Sequence, residues 1–161
     1  MTDNKILEQK AKELRLKVLE SIYRSKKGHI GGNYSEMEFV VTLFYDNILR
    51  FDSKNPKWED RDRFIISKGH TCLPLYLILK EKGYYGEDET FAPGGEPFEY
   101  PITTVPGIEL NTGSLGHGLG VGVGMALAGK MNKKDYIVVV IVGDGELHEG
   151  SNWESGMFAA Q

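Results

Sequence analysis

An uninterrupted apolar run that ends in a glycine–aspartate–glycine turn is the feature that most restricts how this chain can fold. Residues 137–142 read IVVVIV, and Gly143, Asp144 and Gly145 follow directly. A short run of β-branched residues is typical of a strand that is covered on both faces in a parallel sheet. Open α/β sheets place their ligands at the carboxyl ends of such strands. The turn at Asp144 is therefore the first candidate site.

The remaining pattern predicts an α/β fold, with a parallel sheet and helices on both of its faces. A second strand is expected at residues 64–67, and helices are expected at residues 3–26, 39–49, 71–82, 119–130 and from residue 148 onward. The segment SEME at residues 35–38 matches a capping box, which predicts the start of a helix. Two strands are few for an open sheet, and the chain ends within a helical pattern. We therefore expect residues 1–161 to form one domain, truncated at its carboxyl end.

Two glycine- or proline-rich segments interrupt this pattern. Residues 27–34 read KGHIGGNY and are predicted to form a loop, because glycine is costly inside a helix. Residues 84–112 contain four of the six prolines and show no sustained periodicity. A stretch of this length without helix or strand is uncommon in a small domain unless it is functional or disordered, and we interpret it as functional.

Composition excludes several classes of protein. The 161 residues carry a formal net charge of −4 and a single cysteine, Cys72. One cysteine forms no disulfide within the chain, and an acidic balance without clustered Lys and Arg argues against a nucleic-acid-binding protein. The longest strongly apolar run, at residues 137–142, is much shorter than a membrane span. We expect a cytoplasmic protein that binds neither nucleic acid nor a membrane.

The residue types around Asp144 suit a diphosphate that is held through a divalent metal ion. The carboxylate is a hard oxygen ligand of the kind that Mg²⁺ prefers. Glycine on either side lets the backbone approach a ligand closely, and the N-terminus of the following helix favours phosphate. The alternative is an ordinary turn in which Asp144 only caps a helix.

Three of the four histidines, His29, His70 and His117, occupy turns that are flanked by glycine. In such turns an imidazole can reach into a cleft and titrate near neutral pH, so these residues are candidates for a shared site. The alternative for each is a structural imidazole, and zinc is not expected because short His and Cys ligand spacings are absent. Residues 112–118 form a second glycine-rich loop, for which ligand contact and close packing are both open.

Four short motifs, in this order along the chain, resemble the amino-terminal half of the transketolases. They are GHIGG at residues 28–32, SKGH at residues 67–70, TGSLG at residues 112–116 and GDGELHEG at residues 143–150. The similarity covers nearly the whole chain. It is greatest to split members of the family, in which the diphosphate-binding and pyrimidine-binding domains are separate polypeptides. The resemblance implies a thiamine-diphosphate-binding α/β domain.

The resemblance also implies a role for each matching residue. Asp144 would ligate the Mg²⁺ or Ca²⁺ ion that bridges thiamine diphosphate, and Glu149 would lie between two active sites of an assembly. The residues that would bind the cofactor are His70, Gly113, Ser114, Leu115, Gly143, Gly145 and Glu146. His29, His70 and His117 would move protons and orient substrate hydroxyls.

The reaction that the resemblance implies is transfer of a two-carbon ketol unit from a ketose (phosphate) donor to an aldose (phosphate) acceptor. It implies a partner chain with the pyrimidine-binding domain, in a homodimer of such heterodimers. One alternative is another thiamine-diphosphate enzyme, such as a deoxyxylulose-phosphate synthase or a transferase of specialised metabolism. The other is a non-catalytic assembly subunit.

Departures from the family pattern bear on the metal and the donor. The family's motif continues to paired asparagines that complete the metal shell, and this sequence stops before such a pair. Residues 93–97 read PGGEP where many transketolases carry Gly-His-Pro, and His117 stands where glutamine is common. We therefore expect an unusual donor sugar, and we expect His117 to substitute in part for the missing histidine.

Overall fold

Two parallel strands and six α-helices make up the fold in residues 2–86 and 99–161, which are the residues that this computed structural model describes. In chain order they are α1 (Asn4–Ser25), α2 (Ile30–Ser35), α3 (Met37–Tyr45), β1 (Arg63–Ile66), α4 (Leu73–Glu81), α5 (Gly118–Met131), β2 (Val138–Ile141) and α6 (Gly150–Ala159). The predicted α/β class is confirmed. The PGGEP segment lies outside the described residues.

The two strands pair in parallel, with Phe64 opposite Val139 and Ile65 opposite Val140. Phe64 faces the helical layer, where its ring lies 5.3 Å from that of Phe44 on α3. On the other face, α5 approaches so closely that a Cβ at Gly122 would overlap the side chain of Val140. Helices therefore cover both faces of the sheet, as predicted. The four side chains of β2 are nevertheless only half-buried, because in the described residues this strand has a neighbour on one edge only.

The apolar core lies between the sheet and a layer formed by α1, α3 and α4. Leu14, Val18, Val40 and Ile78 are fully buried there, and Phe64 and Ile66 of β1 belong to the same cluster. The predicted helix at residues 3–26 is confirmed as α1, whose first turn is capped by the Asp3 carboxylate through the amide of Lys5 at 2.9 Å. Burial raises the pKa of the Cys72 thiol to about 12.

Two local predictions around residue 30 are wrong. The segment predicted as a loop contains α2, because buried Asn33 donates to the carbonyl of His29 at 2.7 Å and accepts from the amide of Leu73 at 3.2 Å. The bond from Leu73 fixes the short helix from outside its own sequence. The capping box does not form: Ser35 donates instead to the carbonyl of Gly32 at 2.8 Å. The following helix, α3, ends at Tyr45 rather than at residue 49.

No helix in residues 2–86 and 99–161 has both the length and the apolar character needed to cross a bilayer. The cytoplasmic location and the single domain over residues 1–161 stay predictions.

Candidate functional site

The glycine-rich loop at residues 112–118 is attached to the carboxyl end of β1. The Thr112 hydroxyl donates to the carbonyl of Ile66 at 2.7 Å. Six residues further on, the amide of Gly118 donates to the hydroxyl of Ser67 at 3.1 Å. Two motifs that are far apart in sequence therefore form adjacent loops at one edge of the sheet, where open α/β folds bind their ligands.

Glu146 connects this pair of loops to the turn that follows β2. Its Oε1 accepts from the amide of Gly116 at 2.9 Å and from the hydroxyl of Ser67, and its Oε2 accepts from the amide of Gly143 at 3.0 Å. The residue is 2% exposed. Because both carboxylate oxygens bond to protein donors, any contact of Glu146 with a cofactor stays a prediction.

His29 and His70, both predicted to be catalytic, lie side by side. Their ring centroids are 5.0 Å apart and the rings meet edge to face at 71°. His29 precedes α2 in an extended conformation, and His70 lies in a 3₁₀ turn directly after the strand end. Burial, and to a smaller extent the neighbouring His29, lower the pKa of His70. His70 is therefore a neutral imidazole at pH 7, able to accept or relay a proton.

His117, the third predicted catalytic histidine, contacts its own loop. Its exposed ring places Nδ1 3.1 Å from the carbonyl oxygen of Leu115 and 3.3 Å from the hydroxyl of Ser114. Ser114 and Leu115 are themselves exposed on this loop. The side chain thus stabilises the segment that is predicted to lie over a cofactor, and its catalytic role stays a prediction.

The turn at Asp144 offers one exposed carboxylate beside open space. Asp144 and Gly143 line a cavity of ≈ 540 Å³ together with Lys68. Apart from Gly145 and its two chain neighbours, no described atom lies within 4 Å of the position that a Cβ would take there. Within residues 2–86 and 99–161, no three His, Cys, Asp or Glu side chains group to hold a metal ion. A single carboxylate fits Mg²⁺ bound to a diphosphate, because such sites take one or two carboxylates and complete the shell with phosphate and water.

Gly116 marks the closest approach between the glycine-rich loop and the start of α6. Its φ is +84°, and an added Cβ would lie 2.6 Å from the Cβ of Glu149. The hydroxyl of Ser151 donates to the carbonyl of Gly116 at 2.7 Å. A side chain at this position would therefore push the loop away from α6. Glu149 is exposed beside it, and its predicted place between two active sites stays a prediction.

A buried ion pair beside the site is not evident from the sequence. Lys68 Nζ lies 2.9 Å from Glu36 Oε2, and 3.2 and 3.3 Å from the Ser35 hydroxyl and the Gly32 carbonyl. Burial raises the pKa of Glu36, and Lys68 opposes that shift. The local pattern assigns the capping role to Ser35 and Glu38 and gives Glu36 none. The one feature of the sequence that could have indicated this ion pair is a lysine directly after a buried strand, because a buried cation needs a partner.

Comparison with known proteins agrees with this geometry. The family model described as "Transketolase, thiamine diphosphate binding domain" matches residues 6–161. An apulose-4-phosphate transketolase subunit of Phocaeicola vulgatus is 45% identical over 158 residues, which cover 96% of this chain and 56% of that protein. The 6-deoxy-6-sulfo-D-fructose transketolase subunit SqwG of a Clostridium species is 39% identical over 157 residues, with 95% and 57% covered.

A solved structure resembles the fold over the same span. The crystal structure of transketolase from Campylobacter jejuni matches with a TM-score of 0.84 at 28% identity, covering 96% of this chain and 26% of that one. The chain therefore spans little more than half the length of the two subunit relatives and about a quarter of the solved transketolase chain.

Proposed function

The chain belongs to the family of transketolase thiamine diphosphate binding domains, and from that premise we propose that it is the cofactor-binding, amino-terminal part of a transketolase-like transferase. One observation carries the proposal. The loops after β1 and β2 and the glycine-rich loop at residues 112–118 are tied into one unit at the carboxyl edge of the sheet. That edge is where a parallel α/β sheet presents backbone amides and side chains to a ligand.

The residues at this edge fit a magnesium diphosphate. Asp144 would ligate Mg²⁺ or Ca²⁺, and Gly143 and Gly145 would let the backbone approach the diphosphate. The exposed loop at residues 113–115 and His70 would hold the rest of the cofactor. Thiamine diphosphate, when bound, supplies the nucleophilic carbon and the electron sink for cleavage of a carbon–carbon bond beside a ketose carbonyl.

The histidine pair would handle the protons of that reaction. At pH 7 the neutral ring of His70 can accept a proton from a sugar hydroxyl, and His29, whose ring contacts it, can orient or relay that proton. His117 would orient substrate hydroxyls from the opposite loop. No side chain of this chain needs to act as a nucleophile.

We propose further that turnover requires a partner polypeptide that carries the pyrimidine-binding domain. Two relatives that match nearly the whole of this chain are named as transketolase subunits, which supports a split enzyme. The assembly would be a homodimer of heterodimers, with Glu149 near the contact between its two active sites. The substrates would be a ketose (phosphate) donor and an aldose (phosphate) acceptor.

Calorimetry with thiamine diphosphate and Mg²⁺ tests the cofactor site directly. We expect the natural polypeptide, in complex with its partner, to bind thiamine diphosphate in a Mg²⁺-dependent manner. Asp144→Ala should weaken that binding by about 100-fold. Removing a group that only hydrogen-bonds to a metal ligand already lowers metal affinity by about 10- to 100-fold, and Asp144 would be a ligand itself. Glu8→Ala is the matched control, because its carboxylate is exposed on α1. Equal affinity of the wild type and Asp144→Ala would remove Asp144 from the metal site.

Product analysis separates the remaining alternatives. Incubation with a panel of ketose phosphates and aldose phosphates should give products that are two carbons longer than the acceptor. Decarboxylation of pyruvate in the same assay would indicate a deoxyxylulose-phosphate synthase type of reaction instead. A partner-complemented protein that binds no thiamine diphosphate would indicate a non-catalytic assembly subunit.

A further inference from the structure

The buried carboxylate of Glu146 has three hydrogen-bond donors around it, and each comes from a different segment. Ser67 follows β1, Gly116 belongs to the glycine-rich loop, and Gly143 follows β2. Resting on the proposed function, we infer that Glu146 is the positioning residue of the cofactor site. It orders the loops that bind the cofactor without needing to touch the cofactor itself.

The arrangement requires a hydrogen-bond acceptor at both ends of the carboxylate rather than any group of the same shape. The hydroxyl oxygen of Ser67 accepts from the amide of Gly118 at 3.1 Å, so its own hydrogen is free to point at Glu146. Each oxygen of Glu146 therefore faces at least one N–H or O–H donor, and only an acceptor on both sides satisfies them. Hydrogen bonds to a charged acceptor are also about twice as strong as neutral ones.

The two amides that Glu146 holds adjoin the residues that would contact the ligand. Gly116 follows Leu115 on the exposed loop, and Gly143 precedes Asp144. Fixing the two amides therefore fixes the spacing between the proposed metal ligand and the loop opposite it. The backbone of Glu146 is held in turn, because the buried side chain of Asn152 on α6 donates to its carbonyl at 2.6 Å.

Replacement by glutamine distinguishes this role from simple filling of space. Glutamine has the same size, but its amide group turns an NH₂ toward either the Gly116 side or the Gly143 side. In both orientations a backbone N–H then faces another donor, and a buried unsatisfied donor is costly. One of the two loops must move away, so the spacing of the site changes while the apolar core stays intact.

The test measures thiamine diphosphate binding, not only turnover. The natural polypeptide in complex with its partner is titrated by calorimetry at saturating Mg²⁺, and its unfolding temperature without cofactor is recorded. We expect Glu146→Gln to raise the Kd by about 10-fold or more. The stoichiometry of the folded protein should stay unchanged. The exposed Glu8→Gln variant should match the wild type in both measurements.

Each outcome decides one of two questions. If the wild type binds no thiamine diphosphate, the proposed function fails and the role of Glu146 with it. If the wild type binds and Glu146→Gln binds with the same Kd, even with a lower unfolding temperature or stoichiometry, Glu146 is only structural and the inference is overturned. If Glu146→Gln does not fold, Ser67→Ala decides: a Kd raised several-fold supports the inference, and an unchanged Kd overturns it.

Discussion

The amino-terminal and carboxyl-terminal regions of this fold are held together by different forces. In the amino-terminal region, which comprises residues 2–86 and 99–108, apolar side chains form one buried cluster from Ala11 to Ile108. In the carboxyl-terminal region, residues 109–161, the buried side chains in the structure are the polar Glu146 and Asn152. Many of its large apolar side chains are exposed instead, and they include Leu127, Met131, Leu147, Trp153, Met157 and Phe158.

The difference shows where stability and site geometry reside. Apolar burial stabilises the amino-terminal region, since the free energy scales with the area removed from water. The carboxyl-terminal region is fixed by close backbone approach at glycines and by hydrogen bonds to Glu146 and Asn152. The candidate site lies where the two regions meet. Substitutions of buried apolar residues in the first region should therefore change folding stability most, whereas substitutions of Glu146 or Asn152 in the second should change mainly the spacing of the loops.

The largest expected effect on stability is in the core of the amino-terminal region. Leu14 and Leu16 lie on the same helix, but Leu14 is 0% and Leu16 is 68% exposed. Leu14→Ala should lower the free energy of unfolding by about 3 kcal/mol, because it leaves a cavity. Leu16→Ala should change it by less than about 0.5 kcal/mol. Urea denaturation of the two variants is the measurement, and similar losses for both would contradict the assignment of the core.

The regular elements of both regions could be predicted because their signals are local. The amphipathic period of α1, the small-residue helix α5 and the β-branched run of β2 are each visible within a short window of sequence. Short α2 was missed because its support comes from Asn33, which bonds to the start of α4 forty residues away. Tertiary contacts of this kind override local propensity and leave no periodic signal.

The site was predictable as a set of motifs but not as a set of contacts. The rule that ligands bind at strand ends indicated Asp144, the glycine-flanked turns indicated His29 and His70, and the family resemblance added cofactor contacts at residues 113–115. The partners of Ser67 and Lys68 were not predictable. Ser67 bonds to Glu146, 79 positions later, and Lys68 pairs with Glu36, which lies between the two residues that match a capping box. Without a pattern that pairs distant residues, the sequence favoured the local interpretation.

A smaller effect tests the close packing in the carboxyl-terminal region. Gly122 and Gly124 both lie in α5, but a Cβ at Gly122 would overlap Val140. A Cβ at Gly124 would meet no described atom within 4 Å beyond its chain neighbours and the backbone of its own helix. Gly124→Ala should stabilise the fold by up to about 1 kcal/mol through helix propensity. Gly122→Ala should destabilise it by about 1 to 2 kcal/mol, because overpacking against the sheet outweighs that gain. Equal stabilisation in thermal unfolding would show that α5 does not press on β2.

The smallest expected effect is at the histidine pair, which belongs to the amino-terminal region but lies outside its apolar core. Burial is the first cause that lowers the pKa of His70 below 6.5, and the charge of His29 is the second. His29→Ala should therefore raise the pKa of His70 without restoring 6.5. His148→Ala is the control and should leave it unchanged, since the groups that act on His70 are His29, Lys68 and Glu146.

Titration of the His70 ring by NMR measures this pKa, and folding stability reports on it independently. Because the pKa of His70 is lower in the folded chain than in the unfolded one, the unfolded chain binds more protons between about pH 6.5 and that lower pKa. The contribution of His70 to stability is thus complete above pH 6.5 and is lost as the pH falls through its folded-state pKa. In His29→Ala that loss should end at a higher pH and be smaller in total. A pKa of His70 that stays the same in His29→Ala would mean that the two rings do not interact in solution.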